Sequence, residues 1–216
     1  MMLRKHAVLH SIITTGAVLI VRLDDTEEAL AVSRAAIGGG IKALEITLSV
    51  PDALGVIRTL STEFDGQDIA IGAGTVLDEA AAFACIQAGA RLLVSPNVSV
   101  GAIKVANRYG AVAIPGAYTP SEVVAALEEG ADLVKVFPTE SLGPDHIKAM
   151  KAPLPQAELL PAGGATPGNV AAWFAAGASA VGVGSNITKA ARADGDYRRV
   201  TQAAKDMLSA IAAARS

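Results

Sequence analysis

Short apolar runs recur along the chain, and five of them follow a glycine that is placed to end a helix. A glycine just past a helix takes the left-handed backbone conformation that closes it, and a buried strand can then begin. Stretches rich in alanine and glutamate with helical periodicity, such as 121–129, separate the runs. With three weaker runs, the predicted strands are 17–22, 43–47, 69–73, 91–95, 111–115, 133–137, 158–161 and 180–184.

Strand and helix alternate with a repeat of about 20 to 26 residues, which predicts an α/β fold of the (β/α)8 TIM-barrel type. An open doubly wound sheet is the alternative. It usually has fewer strands and a glycine-rich turn after the first strand, where this chain has Arg-Leu-Asp-Asp at 22–25. Segments 3–14 and 196–214 are predicted as extra helices outside the repeat. No linker interrupts the chain, so we expect one domain over residues 1–216.

The composition fits this fold and excludes several functions. The chain is 51% hydrophobic but only 4% aromatic, which suits a parallel sheet buried on both faces. A net charge of -3 offers no basic surface for nucleic acid. The single cysteine, Cys85, rules out an internal disulfide and suits a reducing cytosol. The apolar run 17–21 is too short for a signal or a membrane span, so we expect a cytoplasmic protein.

The sixth predicted strand carries a lysine in its middle, in the run Leu133-Val134-Lys135-Val136-Phe137. Side chains alternate along a strand, so the two valines share one face, and Lys135 shares the other with Leu133 and Phe137. The valines suit the face that packs on the helices, which directs Lys135 into the barrel. A lysine is almost never buried without a reason. Schiff-base formation requires a neutral amine nucleophile, and burial favours that form.

Glu45 lies in an equivalent position in the second strand, where Leu44 and Ile46 face the helices. An inward carboxylate suits general acid/base chemistry. The structural alternative is that Lys135 and Glu45 form an ion pair that only fills the lumen. Their occurrence together on different strands favours catalysis. The other seven lysines lie in helical or loop contexts and are interpreted as solvated surface.

Glycine-bearing loops follow the last two predicted strands. Gly163 and Gly164 precede a helix predicted to begin near Pro167, with Thr166 as its N-cap. Segment 184–186, Gly-Ser-Asn, adds further amides and a hydroxyl. Loops after the seventh and eighth strands are the usual phosphate site of barrel enzymes. The alternative is that both are merely tight turns. We therefore expect a small phosphorylated ligand and no nucleotide.

Metal ions and cofactors are not expected. His6, His10 and His146 are scattered, and none stands at the end of a predicted strand. The acidic residues lie mostly on predicted helices and form no oxygen-rich cluster. A lysine nucleophile also removes the need for a metal electrophile.

Five motifs in order along the chain resemble the 2-keto-3-deoxy-6-phosphogluconate (KDPG) aldolases. This family includes the 4-hydroxy-2-oxoglutarate (KHG) aldolases and phosphogalactonate-specific relatives. The resemblance extends from about residue 17 to residue 190. The motifs are Leu-Glu-Ile-Thr at 44–47, Ile-Gly-Ala-Gly-Thr-Val at 71–76, Val-Ser-Pro-Asn at 94–97, Lys-Val-Phe-Pro at 135–138 and Gly-Gly at 163–164.

The resemblance implies a homotrimeric class I aldolase that converts KDPG, or a close analogue, to pyruvate and glyceraldehyde 3-phosphate. Lys135 matches the Schiff-base lysine of the family. Glu45 matches the general acid/base, which moves protons through water. Thr75, Pro96 and Phe137 match residues that line the pyruvate end. The residues that match the phosphate cradle are Gly163, Gly164, Gly184 and Ser185.

Two positions depart from the family pattern. Many members carry arginine four residues after the glutamate, where this chain has Ser49. We assign Arg22, at the end of the first strand, to the substrate carboxylate, which a guanidinium binds bidentately. The alternative is a rim ion pair with Asp24 or Asp25. Ala162 stands where phosphogluconate enzymes often have threonine, which leaves gluconate, galactonate and shorter non-phosphorylated substrates open.

Two other functions are also open. A phosphate-binding barrel isomerase or epimerase would use Glu45 as base and Lys135 as its electrostatic partner, and would exchange protons without forming an adduct. A non-catalytic phosphosugar-binding barrel would bind its ligand without releasing pyruvate. The presence of both Lys135 and Glu45 argues against a purely binding function, since a binding site favours arginine over a desolvated lysine.

Overall fold

The computed structural model describes residues 3–216 of the chain. Strands and helices alternate through this range, with one additional helix before the first strand. The strands are β1 (Ala17–Val21), β2 (Ala43–Thr47), β3 (Ala70–Gly74), β4 (Leu92–Val94), β5 (Val112–Ile114), β6 (Gly116–Ala117), β7 (Val134–Val136), β8 (Leu159–Pro161) and β9 (Val181–Val183). The helices are α1 (Arg4–Thr15), α2 (Thr26–Gly38), α3 (Ala53–Glu63), α4 (Glu79–Gln87), α5 (Val100–Tyr109), α6 (Pro120–Glu128), α7 (Pro144–Lys151), α8 (Val170–Ala175), α9 (Ser185–Thr188) and α10 (Arg198–Ala214).

The strands close into a parallel barrel. One sheet has the order β5-β4-β3-β2-β1-β9, and a second has the order β6-β7-β8. β5 and β6 are two halves of one barrel strand interrupted at Pro115, whose carbonyl oxygen accepts a hydrogen bond from the Lys135 amide at 2.8 Å. At the other junction, Ala162 bridges Gly182 in parallel register and joins β8 to β9. Counted this way, residues 3–216 supply eight barrel strands, and the predicted (β/α)8 barrel is confirmed.

Two apolar layers follow from the alternation of side chains along the strands. Val134 and Val136 of β7 belong to the outer layer, between the sheet and the helices. Leu133 belongs to the inner layer, which fills the lumen. This division confirms the prediction that the two valines face the helices while the side of the strand that carries Lys135 faces the lumen. Helix α1 closes the amino-terminal end of the barrel, because Val8 and Ile12 are buried against the inner layer. Burial of each such side chain contributes about 1.5–3 kcal/mol.

Helix α10 completes the outer ring of helices. It packs between α8 and α2, and the Thr201 hydroxyl donates a hydrogen bond to the carbonyl oxygen of Ala35 at 2.9 Å. The prediction that segment 196–214 lies outside the repeat is therefore wrong, because this segment is the eighth barrel helix. The short helix α9 and segment 189–197 separate it from β9, which hides the repeat in the sequence. Neither α10 nor any other helix among the described residues is long and apolar enough to cross a membrane.

Polar N-caps fix where several of the barrel helices begin. The Asp25 carboxylate accepts a hydrogen bond from the amide of the third residue of α2 at 2.7 Å, and Asp78 does the same for α4 at 2.8 Å. Thr119 and Glu122 cap α6 reciprocally, with Pro120 in its first turn. A cap of this kind contributes about 1 kcal/mol. Because these caps lie in the loops that leave the strands, they also order the carboxyl-terminal end of the barrel.

Candidate active site

A lysine and a glutamate meet inside the barrel, beneath the carboxyl-terminal ends of the strands. Lys135 on β7 and Glu45 on β2 both line the lumen, as the strand pattern predicts. The Nζ atom of Lys135 lies 3.9 Å from the Oε2 atom of Glu45, and the side chains are 6% and 2% exposed. Opposite charges at this distance attract each other much more strongly inside a protein than in water. The fold therefore brings the two candidate catalytic residues into one enclosed site.

One oxygen of the buried Glu45 carboxylate has no hydrogen-bond partner among the described residues. Its Oε1 atom accepts no hydrogen bond from any residue in the 3–216 range. Gly74 on β3 provides the space for the carboxylate, because a Cβ atom at that position would overlap it. Burial raises the pKa of Glu45, while the positive charges of Lys135 and Arg22 act in the opposite direction. A carboxyl group with a free oxygen and a raised pKa is suited to accept and return protons in the site.

The Lys135 amine lies between the enclosed lumen and an open cleft. Its Nζ atom is 5.1 Å from the centre of the Phe137 ring, a distance at which a cation is attracted to an aromatic face. Phe137 is 37% exposed and lines the cleft with Lys135. A substrate that enters the cleft can therefore reach the amine without displacing the barrel core.

The cleft has a volume of about 310 Å³, and one of its walls is the glycine turn that follows β8. Gly163 and Gly164 have φ values of +109° and +83°, which side-chain-bearing residues rarely adopt. The Thr139 hydroxyl donates a hydrogen bond to the carbonyl oxygen of Gly163 at 2.9 Å and holds the turn in place. The amide of Gly164 donates no loop hydrogen bond within the described range. A free amide in such a turn is suited to bind an anion.

The loop after β9 contributes to the same cleft through Gly184 and Ser185. Ser185 is the first residue of α9. The amides of Ile187 and Thr188 donate to the Gly184 carbonyl oxygen, whereas those of Ser185 and Asn186 donate no loop hydrogen bond among the described residues. The four residues predicted for the phosphate cradle therefore line one cleft together with Lys135.

Arg22 lies exposed at the end of β1 and also lines this cleft. The ion pairs of residues 3–216 do not include it, so the alternative pairing with Asp24 or Asp25 is not observed. Its guanidinium group is therefore available to a ligand.

Thr75 and Pro96 lie apart from the cleft. Thr75 is the first residue after β3 and Pro96 the second after β4, at the carboxyl-terminal end of the barrel, and both are half-buried. Neither lines the cleft or the lumen beneath it. Their predicted contact with the pyruvate end therefore stays a prediction.

The helix after the glycine turn begins later than predicted. Helix α8 starts at Val170 with Asn169 at its N-cap position, so the assignment of Thr166 as N-cap is wrong. The Asn169 side chain accepts a hydrogen bond from the Thr166 amide at 2.8 Å and donates one to the Gly164 carbonyl oxygen at 2.8 Å. These bonds stabilise a turn where the sequence suggested the first turn of a helix. The turn amides, and not the start of α8, therefore form this wall of the cleft.

Sequence reasoning missed two charged residues of the cleft. Lys189, assigned to solvated surface, is exposed but lines the cleft beside Ser185. Glu140, three residues after Phe137, lines it as well, and its side chain packs over Gly163. The only available signal was that both residues closely follow barrel strands. Elsewhere in residues 3–216, no group of three or more histidine, cysteine or acidic side chains is placed to hold a metal ion.

A family model described as KDPG and KHG aldolase matches residues 9–203 of the chain. The match spans all the barrel strands and every residue of the cleft.

Individual relatives agree with this match. The chain is 38% identical over 174 residues to the 2-dehydro-3-deoxy-6-phosphogalactonate aldolase of Escherichia coli K12, covering 80% of this chain and 84% of the relative. It is 32% identical over 203 residues to the KHG/KDPG aldolase of the same organism, covering 92% and 93%. The structure of the Legionella pneumophila KDPG aldolase, with pyruvate captured as a covalent carbinolamine intermediate, superposes with a TM-score of 0.82 at 25% identity, covering 95% and 98%.

Proposed function

The chain belongs to the family of KDPG and KHG aldolases, and we propose that it cleaves a 2-keto-3-deoxy sugar acid 6-phosphate to pyruvate and glyceraldehyde 3-phosphate. It is a pyruvate-dependent class I aldolase of this family. The observation that carries the proposal is the position of Lys135 and Glu45, 3.9 Å apart at the base of a cleft lined by the glycine loops. An amine, a proton-transfer group and an anion site are thus within reach of one small substrate.

Lys135 is the nucleophile of the proposed reaction. Its neutral Nζ atom adds to the C2 carbonyl carbon and forms a carbinolamine, which loses water to give an iminium ion. Glu45 protonates the departing hydroxyl group and then accepts the proton of the C4 hydroxyl as the C3–C4 bond breaks. The electron pair of that bond moves towards the iminium nitrogen, which yields an enamine and glyceraldehyde 3-phosphate. Protonation of the enamine at C3 and addition of one water release pyruvate and restore the Lys135 amine.

Both ends of the substrate are negatively charged. One end binds a positively charged side chain of the cleft, and the other binds free backbone amides. Arg22 pairs with the C1 carboxylate, since a guanidinium matches a carboxylate in charge and shape. The Ser49 hydroxyl lies 2.9 Å from that of Thr47 and offers no positive charge, which leaves this task to Arg22. The amides of the glycine loops bind the phosphate, with Gly163 and Ser185 on the two sides. The substrate is thereby aligned with C2 next to Lys135.

We propose the 6-phosphogalactonate derivative as the preferred substrate, ahead of the 6-phosphogluconate derivative expected first from the sequence. The higher identity to the phosphogalactonate enzyme, 38% against 32%, supports this order. Ala162 lines both the cleft and the lumen, at the position where phosphogluconate enzymes often have threonine. An alanine offers no hydroxyl to a substrate C4 hydroxyl, so this chain lacks that contact for distinguishing the two configurations.

Reductive trapping tests the nucleophile. Incubation with pyruvate and borohydride should attach a reduced pyruvate adduct to the wild-type protein, and peptide mass mapping should locate it on Lys135. The variant Lys135→Ala should form none. Lys189→Ala is the matched control, because this lysine lines the same cleft and its loss should leave the adduct on Lys135. A wild-type protein that cannot be trapped, or an adduct located on Lys189, would refute the assignment.

A pyruvate-release assay tests the substrate. Release should be measured with the 6-phosphogalactonate and 6-phosphogluconate derivatives and with 4-hydroxy-2-oxoglutarate. We expect the highest kcat/KM for the first and the lowest for the last, which has no phosphate to bind the glycine loops. Equal values with and without phosphate would contradict the assigned role of Gly163 and Gly164.

The homotrimer implied by the family resemblance is a separate proposal. Sedimentation equilibrium at several protein concentrations should give three times the mass of the 21.8 kDa chain. A monomer mass at every concentration would contradict it.

A further inference from the structure

A second cleft lies at the end of the barrel opposite to the candidate active site. Its volume is about 510 Å³, larger than that of the cleft above Lys135. It is formed where α3, α4 and α5 end and where β4 and β5 begin, together with the first residue of α1. We define the arginine cleft by five of its polar lining side chains, Arg4, Arg58, Arg91, Gln87 and Tyr109.

Positive charge dominates the arginine cleft. Three arginines and one aspartate line it, which gives a formal charge of +2, whereas the whole chain carries -3. Arg91 pairs with Asp65 at 2.8 Å, but the Asp65 side chain is 71% exposed, so the pair lies at the surface. The ion pairs of the described residues include neither Arg4 nor Arg58. Both side chains are exposed, so two guanidinium groups of the cleft face solvent with no anionic partner among residues 3–216.

The structural alternative is that these arginines cap helix ends. Helices α3, α4 and α5 present their carbonyl ends here, and such ends attract cations. Arg215 shows the contacts of a structural arginine in this chain, since its Nη1 atom donates to the carbonyl oxygens of Ile13 and Thr14 at 2.7 and 3.1 Å. No hydrogen bond of this kind joins Arg4 or Arg58 to a carbonyl oxygen among the hydrogen bonds of residues 3–216. Helix capping therefore does not account for these two side chains.

We propose that the arginine cleft binds a small organic anion that carries two or more negative charges on phosphate or carboxylate groups. Guanidinium groups bind both kinds of group bidentately. Gln87 and Tyr109 add neutral donors at the wall, and the volume lies in the usual range for small-molecule sites. The ligand occupies a place distant from Lys135, so its binding does not compete with the aldol substrate. The proposal is independent of the proposed function.

Amide resonances in nuclear magnetic resonance spectra of the full ¹⁵N-labelled chain can test the site. Gly89 and Gly110 line the arginine cleft and serve as local reporters, whereas Gly163 reports on the active-site cleft. The probes are inorganic pyrophosphate and citrate, titrated separately, which distinguishes phosphate from carboxylate recognition. At least one probe should shift the Gly89 and Gly110 resonances with a saturable dependence on concentration.

Substitutions of the arginines test whether these side chains bind the anionic probe. The double variant Arg4→Gln/Arg58→Gln should weaken the binding measured at Gly89 by at least tenfold. Arg34→Gln is the matched control, since it removes the same charge from an exposed arginine outside the cleft and should leave the affinity unchanged. The proposal is overturned if neither probe shifts Gly89 and Gly110 in the wild-type protein. It is also overturned if the double variant binds as tightly as the control.

Discussion

The buried pair of Lys135 and Glu45 makes a prediction about stability that is separate from catalysis. The two charges lie 3.9 Å apart with 6% and 2% of their side chains exposed. We expect a strong coupling free energy between them in a double-mutant cycle of Glu45→Gln, Lys135→Met and the double variant. Each single change leaves one buried group without its partner, whereas the double change leaves none charged.

The magnitude follows from the separation and the burial. Two unit charges about 4 Å apart interact by about 4 kcal/mol at an effective dielectric constant of about 20. Loss of one partner of a buried pair costs about 3–5 kcal/mol, and replacement of both by uncharged groups is neutral or stabilising by about 1–4 kcal/mol. The Oε1 atom of Glu45 accepts no hydrogen bond within residues 3–216, so this pair lacks part of the compensation that burial requires. We therefore expect the double variant to be at least as stable as the wild type.

Urea unfolding provides the assay. Trp173 is the single tryptophan of the chain and is 3% exposed, so its fluorescence should report on unfolding. All variants should be compared at about pH 8 and at one protein concentration, because association shifts apparent stability. The matched control is the cycle of Lys42→Met and Asp68→Asn, a pair 2.6 Å apart whose side chains are 41% and 62% exposed. Exposed pairs of this kind couple by at most about 1 kcal/mol.

Two results would refute the reasoning. One is a coupling free energy between Glu45 and Lys135 no larger than that between Lys42 and Asp68. The other is a double variant less stable than the wild type. Activity adds an independent check, since the three variants of the buried pair should release no pyruvate while the surface variants retain wild-type turnover.

Three further predictions concern single groups. Gly74→Ala places a Cβ atom against the Glu45 carboxylate, so it should lower kcat/KM at least tenfold and the free energy of unfolding by about 1–3 kcal/mol. Gly38→Ala has open space around its Cβ atom and should preserve both quantities in the same kinetic and urea assays. Glu140→Gln removes a negative charge from the cleft, so in steady-state kinetics it should lower KM for phosphorylated substrates several-fold without a change in kcat. The decrease in KM should be smaller for 4-hydroxy-2-oxoglutarate, because its distal carboxylate carries less negative charge than a phosphate. Burial raises the pKa of Glu45 above 4.5, so the protonated form of this residue stabilises the folded state. This contribution to the free energy of unfolding should be complete below pH 4.5 and should disappear as the pH rises through the raised pKa. A stability difference between wild type and Glu45→Gln that stays constant from about pH 4 to about pH 8 would contradict this.

Strand alternation explains why so much of the site could be predicted. A side chain on a strand has only two directions, and the valines on either side of Lys135 already identify the helix-facing one. Glu45 follows by the same argument from its leucine and isoleucine neighbours. The buried pair at 3.9 Å was therefore predictable as two inward residues, although their mutual distance was not, since it depends on the closure of the barrel.

Loop residues could not be predicted in this way. A loop has no periodicity, so Glu140 and Lys189 have the same sequence signature as charged residues on any solvated surface. The start of α8 depends on a competition between two capping side chains. Asn169 bonds to the Thr166 amide and the Gly164 carbonyl oxygen, which favours a turn over the helix that Thr166 and a following proline suggest.

Small residues along the lumen connect the barrel sequence to its chemistry. Barrel interiors are usually filled by bulky branched side chains. Around Lys135, however, the lumen wall includes Ala162 and Gly182, and Gly74 stands beside Glu45. A side chain at position 74 would overlap the Glu45 carboxylate, and one at position 182 would press on Ala162 and Ile20, which line the lumen with Lys135. The upper part of the lumen therefore has less apolar packing, and in its place a site in which an amine and a carboxyl group can contact a substrate. The free energy of unfolding of the double variant Glu45→Gln/Lys135→Met measures how much stability the two charged side chains remove.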